Sequence, residues 1–465
     1  MKEKLKYIIN WCSWQPEHKT QFVKNMCWGI AIAIILQFSY NTGIGQDMIN
    51  IAHDFLVEAD YRQNVLKGTG QNMISNDLRM IVFDKETYET NDFPGKCYWT
   101  PREFLGKTII RSIEMGATVV AIDFSLEKPV PFTCMNGKCV DENSIYLTLL
   151  QQAAEMARKN NSVIIIPQIS HKQNENIYAK AYRSLIEKNS DVLIQGIPKI
   201  YCNSNDLMVR HFNFFFQPSK KHEPIISVPV LATVHHWYNN NKEKADTIIQ
   251  QLTSEIKDNK KITPVNSPSN QEQNIQLFYQ QSNKECLAAR YKYRILPEQI
   301  IHNRFGGGNK PSIVINPSIL LDKYIDRQRI QDKIVIIGAD YSNFGDVHRT
   351  PVGNIAGVYL IANAMNMLLM SDQIKEFHFV FKFSILLVWI IIASLLYTHL
   401  PKNWSFPILI LLLLSINTPV SVWLFSKWGV FMDFWLPISI MGIVEFMEPT
   451  ISSLHINILK RGNKE

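Results

Sequence analysis

Three aspartates have the type and placement to do chemistry, because each follows a short apolar run: Asp84, Asp123 and Asp346. Such runs predict strands buried in a parallel sheet, and the carboxyl ends of those strands converge on one crevice. Three carboxylates there could bind a cation or a cationic solute, or accept hydrogen bonds from hydroxyl groups. Aspartates also cap helices and fix loops by accepting backbone N–H groups, so the sequence leaves a structural use open.

Arg102 and Thr350 complete the set of ligand-binding candidates. Arg102 follows Pro101 at a predicted helix start, where it could pair with one of the acids inside the fold or bind an anion. Thr350 precedes Pro351, and this pair predicts a fixed turn. All five candidates therefore have both a binding and a structural interpretation.

Motifs typical of enzymes fail in this chain, so we expect neither catalytic residues nor a cofactor. Gly306-Gly-Gly-Asn-Lys310 is rich in glycine but lacks the spacing of a phosphate-binding P-loop. His235 and His236 are adjacent, and in a strand they would point to opposite faces, which argues against a shared metal ion. The net charge of +7 comes from scattered lysines and arginines, so nucleic acid is not an expected partner.

The cysteine pattern predicts one disulfide. In Cys134-Met-Asn-Gly-Lys-Cys139 the Asn-Gly pair is a hairpin signal, and a hairpin would hold the flanking cysteines within bonding range. An oxidising compartment would then favour the bond. A zinc site would need four ligands, and no second close pair supplies them, so no metal is expected. Whether Cys97, Cys202 and Cys286 are paired stays open.

The elements that must position these residues alternate between strand and helix, which predicts a parallel α/β sheet with right-handed crossovers. Strands are predicted at 78–84, 117–123, 162–167 and 334–337, and helices at 101–115, 145–159 and 358–369. Residues 171–310 are predicted to form an irregular insertion or lobe. Its most polar part, 239–273, is predicted to be a disordered loop.

Four apolar segments approach the ~20 residues that a membrane-spanning helix needs. They are residues 25–46, 377–397, 405–425 and 429–447. The alternative for the first is a cleavable signal peptide, but no A-x-A cleavage site follows it. Lysines and arginines place residues 1–24 and the tail 448–465 in the cytoplasm, so 47–370 lies outside. The inverted arrangement is the alternative.

Polar side chains fall in or near the last three of these segments: Lys382, Asn417, Asp433 and Glu445. Such groups usually face other helices, or reach the membrane surface from a helix end. Both interpretations stay open, together with a contact to a partner protein.

The chain resembles the CHASE2 family of bacterial extracytoplasmic sensory domains over about residues 47–370. The resemblance rests on Val82-Phe-Asp84, Pro101-Arg102, Gly116-Ala-Thr-Val-Val-Ala-Ile-Asp-Phe124 with Pro129, and Asp332-Lys-Ile-Val-Ile-Ile-Gly338 through Gly345-Asp346, Thr350-Pro351, Gly357-Val358 and Ala362-Asn363. The membrane layout is similar too, with one span before the domain and three after it. Family members usually feed a cytoplasmic cyclase or kinase. This sequence ends soon after its last span, which implies a separate partner chain.

The expected fold is an α/β extracytoplasmic parallel-sheet sandwich with one N-terminal and three C-terminal transmembrane helices, in a bacterial inner membrane. The resemblance implies a multi-pass signal-input protein, not an enzyme. A small-molecule or protein ligand would bind outside, a cytoplasmic or membrane signalling protein would receive the signal, and homodimerisation is expected by analogy. The alternatives are a transporter or channel subunit and a membrane scaffold.

Overall fold

The computed structural model describes the chain in segments that form two compact units. One unit is drawn from Met1–Asp60 and Lys375–Glu465, and the other from Tyr61–Ile374. The described residues are 16–39, 43–65, 74–91, 100–126, 128–130, 133–135, 138–168, 176–198, 208–217, 223–258, 263–268, 274–275, 286–297, 313–322, 325–340, 346–376 and 379–432.

The helices within these segments are numbered in chain order. They are α1 (Pro16–Ser39), α2 (Gly43–Asp60), α3 (Lys85–Thr90), α4 (Arg102–Glu114), α5 (Glu142–Lys159), α6 (Ile177–Lys188), α7 (Val228–Trp237), α8 (Lys242–Lys257), α9 (Pro317–Leu321), α10 (Gly357–Leu369), α11 (Phe379–His399), α12 (Lys402–Leu412) and α13 (Thr418–Trp428). Single turns of other type occur at Tyr61–Val65 and Leu413–Asn417, which are π-helical, and at Arg327–Arg329, which is 3₁₀.

The strands are numbered in the same way. They are β1 (Leu78–Phe83), β2 (Val119–Asp123), β3 (Thr133–Met135), β4 (Lys138–Val140), β5 (Val163–Pro167), β6 (Leu193–Gly196), β7 (His211–Phe216), β8 (Ile225–Ile226), β9 (Val265–Asn266), β10 (Asn274–Ile275), β11 (Cys286–Arg290), β12 (Val314–Ile315), β13 (Ile334–Ala339), β14 (Val347–Thr350), β15 (Gly353–Ala356), β16 (Lys375–Glu376) and β17 (Val430–Phe431).

A six-stranded sheet of order β12-β1-β13-β2-β5-β6 forms the centre of the Tyr61–Ile374 unit. Every neighbouring pair in it is parallel, which confirms the predicted α/β class. β13 comes late in the chain but lies between β1 and β2, so it joins the two halves of the sheet. The helices between β1, β2, β5 and β6 are the crossovers that parallel strands require.

β13 shows why the sequence folds this way locally. Its β-branched run is buried over the first five positions, as expected for a strand covered on both faces. Gly338 closes the run where Val358 of α10 approaches, and a Cβ at position 338 would lie 2.7 Å from the Val358 Cβ. Glycine is therefore the residue that lets α10 pack directly on the strand.

The first face of the sheet carries α4, α5, α6 and α9. The buried cluster there joins Ile122 of β2 and Ile337 of β13 to Ile109 of α4 and Leu150 of α5. α4 and α5 approach closely, because a Cβ at Gly106 would lie 2.8 Å from the Leu149 Cβ. Apolar residues at helical spacing thus bury one side of each helix against the strands.

α7 and α10 cover the second face. A Cβ at Gly196 of β6 would lie 2.9 Å from Leu231 and 3.0 Å from Val228 of α7, closer than ordinary van der Waals contact, and Gly338 meets α10 as described. Every residue of α10 is buried, as the sequence predicts for a buried helix at 358–369. Two layers of helices therefore exclude water from both faces of the strands.

Smaller sheets lie outside this core. β11, β7 and β8 form an antiparallel sheet, and β14 pairs with β15 in a hairpin directly before α10. β3 pairs with β4, and β9 with β10, also antiparallel. The β14–β15 hairpin matters for the site because it carries Asp346 and Thr350 towards the start of α10.

The region 171–310 is more regular than the sequence analysis expects. It contributes α6 and β6 to the central layers, and α7 to the second face. The prediction of a disordered loop at 239–273 is wrong, because α8 runs from Lys242 to Lys257 within it. The Asn241 side chain caps this helix by accepting from Lys244 N, and the buried Leu252 and Ile256 hold it. A few buried apolar residues are enough to hold this helix against the domain. The composition of the region is therefore polar and does not indicate a helix.

In the other unit, α1 packs along α11. A Cβ at Gly29 of α1 would lie 2.7 Å from Ile390 of α11, so the glycine allows a close crossing. Trp389 of α11 donates its ring N–H to Asn417 Oδ1 at 3.0 Å, in a buried contact. A polar residue of a predicted span therefore faces another helix, as one of the two interpretations expects.

Two helices among the described residues are long and apolar enough to cross a membrane: Val380–His399 and Trp404–Trp428. They coincide with the spans predicted at 377–397 and 405–425. The span predicted at 25–46 falls partly on α1 and α2 and stays a prediction. The span predicted at 429–447, with Asp433 and Glu445, lies outside the described residues beyond 432.

Candidate ligand-binding site

The carboxyl edge of the central sheet brings the predicted acids into one neighbourhood. Asp123 is the last residue of β2 and pairs in register with Gly338 of β13. On its other side β13 pairs with β1, and Asp84 follows the last residue of β1. Asp346 follows β13 and begins the segment that leads through β14 and β15 to α10.

Asp123 is the most perturbed acid at this edge. Its Oδ2 is buried and has no hydrogen-bond partner among the residues that the structure describes. Burial raises the pKa of this carboxyl well above its ordinary value, and the nearby negative charge of Asp346 raises it further. Asp123 therefore holds a proton more firmly than an ordinary aspartate, or favours a cation beside it.

Asp346 is the second carboxylate of the pair and sits at the N-terminus of α10. Its Oδ1 lies 2.8 Å from Nε2 of His348, and its main-chain carbonyl accepts from Gly357 N at 3.0 Å. The carboxylate also fills the space that a Cβ at position 357 would need. A negative group at a helix N-terminus interacts favourably with the helix dipole.

Asp84 lies at the same edge but has a structural use. Its Oδ1 accepts from Thr87 N at 2.9 Å and from the Thr87 hydroxyl at 2.7 Å, so it is the N-cap of α3. Removal of such a cap typically costs about 1 kcal/mol. The structural use of Asp84 that the sequence left open is therefore observed, as hydrogen bonds to Thr87.

Thr350 is also used inside the fold. Its side chain is buried, and its hydroxyl donates to the Gly353 carbonyl at 2.5 Å across the β14–β15 turn. Gly353 has a φ of 129°, a conformation that side chains other than glycine rarely adopt. The pair Thr350-Pro351 therefore fixes the β14–β15 turn, and the role of Thr350 in ligand binding stays a prediction.

Arg102 belongs to a different cluster. Its guanidinium carbon lies 5.5 Å from the ring centroid of Tyr146 and 5.8 Å from that of Tyr178. Its Nη2 donates to the Lys128 carbonyl at 2.8 Å. Among the described residues no carboxylate is recorded in an ion pair with this guanidinium, so the expected pairing with a strand-end acid is not found there.

The disulfide candidates lie opposite each other in the β3–β4 hairpin, where Cys134 and Cys139 are Cα partners. Opposed Cα atoms of antiparallel strands are about 4.5–5.5 Å apart, within the range that a disulfide spans. The backbone therefore has the arrangement that the bond needs, while the two side chains lie outside the described part. The bond itself stays a prediction.

The adjacent histidines belong to helix α7, and not to a strand as the sequence analysis assumed. His235 is buried, and burial lowers its pKa to about 4. His236 Nδ1 lies 2.8 Å from the Thr118 hydroxyl, at the amino end of β2. His235 Nε2 lies 4.0 Å from Asp246 Oδ1, so the two histidines have different neighbours. No group of three or more His, Cys, Asp or Glu side chains in the described residues is arranged to hold a metal ion.

Several residues that shape these clusters have no assigned role in the sequence-based predictions. His348 and Gly357 set the position of Asp346, and Tyr146 and Tyr178 enclose Arg102. A signal exists for Gly357, since a glycine at the start of a buried helix, close after an aspartate, indicates a close approach. The tyrosines come from separate helices, and only the folded chain brings them together.

The family model described as "CHASE2 domain" matches residues 29–398. No curated protein and no solved structure matches the chain.

Proposed function

The chain belongs to the CHASE2 family of extracytoplasmic sensory domains, and from this we propose that it senses a stimulus at the Asp123–Asp346 pair and transmits it across a membrane. The observation that carries the proposal is the buried, unpartnered Asp123 Oδ2 beside a second carboxylate, at the sheet edge where α/β proteins bind ligands. The proposed role is binding and not catalysis.

The chemistry of the pair sets the class of ligand. An uncompensated buried carboxyl gains most from a group that donates hydrogen bonds or carries positive charge. The ligand we propose is therefore a cation or a cationic solute, with hydroxyl groups as further donors. Asp84 is not part of this proposed site, because its carboxylate already accepts hydrogen bonds as the cap of a helix.

We propose that helix α10 moves when the ligand binds. It starts at Gly357 against the Asp346 carboxylate, and the chain continues from its end through β16 to α11. A ligand that draws the Asp346 carboxylate away would remove a contact at the start of α10. Such a ligand shifts the equilibrium only by its difference in affinity for the two states.

For the membrane part, we propose an α/β sandwich outside a bacterial inner membrane and four spans, one before the domain and three after it. Two apolar helices and the distribution of lysines and arginines support this arrangement. The signal would pass to a separate cytoplasmic or membrane protein, from a homodimer of this chain. Labelling of single cysteines with an impermeant reagent in intact cells tests the orientation. A reactive residue in 448–465 and an unreactive one in 47–370 would exclude it.

The function itself is tested with the full-length protein in detergent and in native membranes. We expect Mg²⁺, Ca²⁺ or spermidine to raise the unfolding temperature of the wild type, and this rise to vanish in D123N and D346N. The matched control is D77N, which removes an acid at the opposite, amino edge of the sheet. Crosslinking and capture from native membranes should recover a cyclase, kinase or regulator. Solute flux through liposomes carrying the protein alone would instead support a transporter.

A further inference from the structure

Arg102 is a buried cation whose hydrogen-bonding groups are only partly used. The residue is 2% exposed and lies in the first turn of α4. Its main-chain N–H donates to Glu142 Oε2 at 2.9 Å, and its Nη2 to the Lys128 carbonyl at 2.8 Å. Its Nε and Nη1 are buried and have no hydrogen-bond partner among the described residues. Buried N–H groups of a guanidinium are normally satisfied.

The guanidinium of Arg102 lies over the faces of two aromatic rings. Tyr146 and Tyr178 lie within cation–π distance of it, and Tyr178 stacks on Tyr182 with ring centroids 5.9 Å apart and an angle of 6°. Such rings stabilise the positive charge but supply no oxygen acceptor for its N–H groups. Because Nε and Nη1 have no hydrogen-bond partner among the described residues, these donors remain available to an acceptor.

Three tyrosine hydroxyls share the same burial. The hydroxyl oxygens of Tyr146, Tyr178 and Tyr182 are buried, and the hydroxyls of Tyr146 and Tyr182 lie close enough to interact with each other, whereas that of Tyr178 has no hydrogen-bond partner among the described residues. Burial raises the pKa of each hydroxyl, while the positive charge of Arg102 acts in the opposite direction. The hydroxyls consequently stay protonated and can donate.

The cluster thus combines a fixed positive charge with unused donors, and it lacks a matching negative charge. In the described part of the chain, the one carboxylate recorded on Arg102 is that of Glu142, and it binds the main-chain N–H instead of the guanidinium. A buried charge without a partner is strongly unfavourable, and an anion relieves this when it accepts from the same donors.

We propose that Arg102, Tyr146, Tyr178 and Tyr182 form a binding site for a small oxyanion, such as a carboxylate or phosphate group. The position in the first turn of a 13-residue helix favours negative charge in addition. The site differs in charge preference from the Asp123–Asp346 pair, and it would exist whether or not the domain is a sensor.

The test uses full-length protein in detergent, with unfolding followed in sodium chloride, sodium acetate and sodium phosphate at equal ionic strength. We expect acetate or phosphate to raise the unfolding temperature above the chloride value, with saturation as the concentration increases. A rise in acetate identifies a carboxylate site, and a rise confined to phosphate identifies a phosphate site. No rise with either anion overturns the proposal.

Two variants separate this site from a general salt effect. R102Q should lose the rise, whereas K107Q, which removes an exposed positive charge from the same helix, should keep it. Because R102Q could fail to fold, Y178F provides a second variant, which removes a hydroxyl with little change in volume. It should weaken apparent anion affinity about tenfold, the usual effect of a lost hydrogen bond to a charged group. An unchanged anion affinity in Y178F, or an unchanged rise in a folded R102Q variant, would contradict the site.

Discussion

The Asp346 carboxylate occupies the space that a side chain at Gly357 would require, so these two positions are sterically linked at the start of α10. The Gly357 N–H also donates to the Asp346 main-chain carbonyl at 3.0 Å. The link means that the position of one proposed ligand group depends directly on the absence of a Cβ eleven residues later in the chain.

A G357A substitution should therefore destabilise the protein by about 1–3 kcal/mol, as overpacking does elsewhere. The cause would be displacement of the carboxylate, because α10 itself accommodates alanine well. Denaturant unfolding of the full-length protein measures the change. In a D346A background the same substitution should be nearly neutral, and equal losses in both backgrounds would disprove the steric link.

Asp123 should make stability depend on pH in a defined direction. Its pKa is raised in the folded chain, so its contribution to stability is fully present below the ordinary pKa near 4 and is lost as pH rises through the folded value. D123N cannot ionise, and its advantage over the wild type should therefore grow from pH 4 towards neutral pH. Unfolding temperatures across this range measure the difference.

Asp141 supplies a control of opposite sign. Hydrogen bonds from Ser144 and Asn143 lower the pKa of this carboxyl, so its contribution is present above the ordinary pKa and is lost as pH falls. D141N should be less stable than the wild type at neutral pH and approach it in acid. Parallel pH profiles for D123N and D141N would contradict the assignment of Asp123 as the desolvated acid.

The Trp389–Asn417 hydrogen bond should hold α11 against the segment that follows α12. W389F removes the donor and leaves the buried Asn417 carbonyl without it, which should cost about 1 kcal/mol in a membrane helix bundle. Reversible unfolding in mixed detergent measures this loss. W389F/N417L should recover much of it because both polar partners are gone. V388A, at an exposed position, is the control.

The Cys134–Cys139 bond should be detectable by peptide mapping without reduction, as a single linked hairpin peptide. Its reduction should destabilise the domain by about 2 kcal/mol, the value that loop entropy predicts for so short a loop. C27S is the control, since Cys27 is a free, exposed cysteine. Alkylation of Cys134 in protein that was never reduced would contradict the bond.

Parts of the architecture could be predicted because strong local patterns carry them. The apolar run of β13, its closing glycine and the helix α10 stand next to one another in the chain, and their periods differ clearly. β12 was not predicted because only two of its residues pair with β1, which is too short a run to give a strand pattern. β6 was not predicted because buried and exposed residues do not alternate along it. Its two middle residues have intermediate exposure, and its two end residues are buried.

The part of the candidate site that could be predicted is the part set by the strand order of the sheet. Neighbouring parallel strands bring Asp123 and Asp346 to one edge, and the general rule for such edges is enough to expect that. The capping role of Asp84 depends on one side-chain hydrogen bond to Thr87, which composition does not specify. The ring contacts of Arg102 depend on two helices that are distant from it in sequence, so no local sequence pattern predicts them.

The location of β13 has a consequence for biogenesis. The strand at the middle of the sheet is among the last parts of the domain to leave the ribosome, so β1 and β2 must wait for a segment more than 200 residues downstream. The central sheet therefore cannot be completed until nearly all of the Tyr61–Ile374 unit has been synthesised.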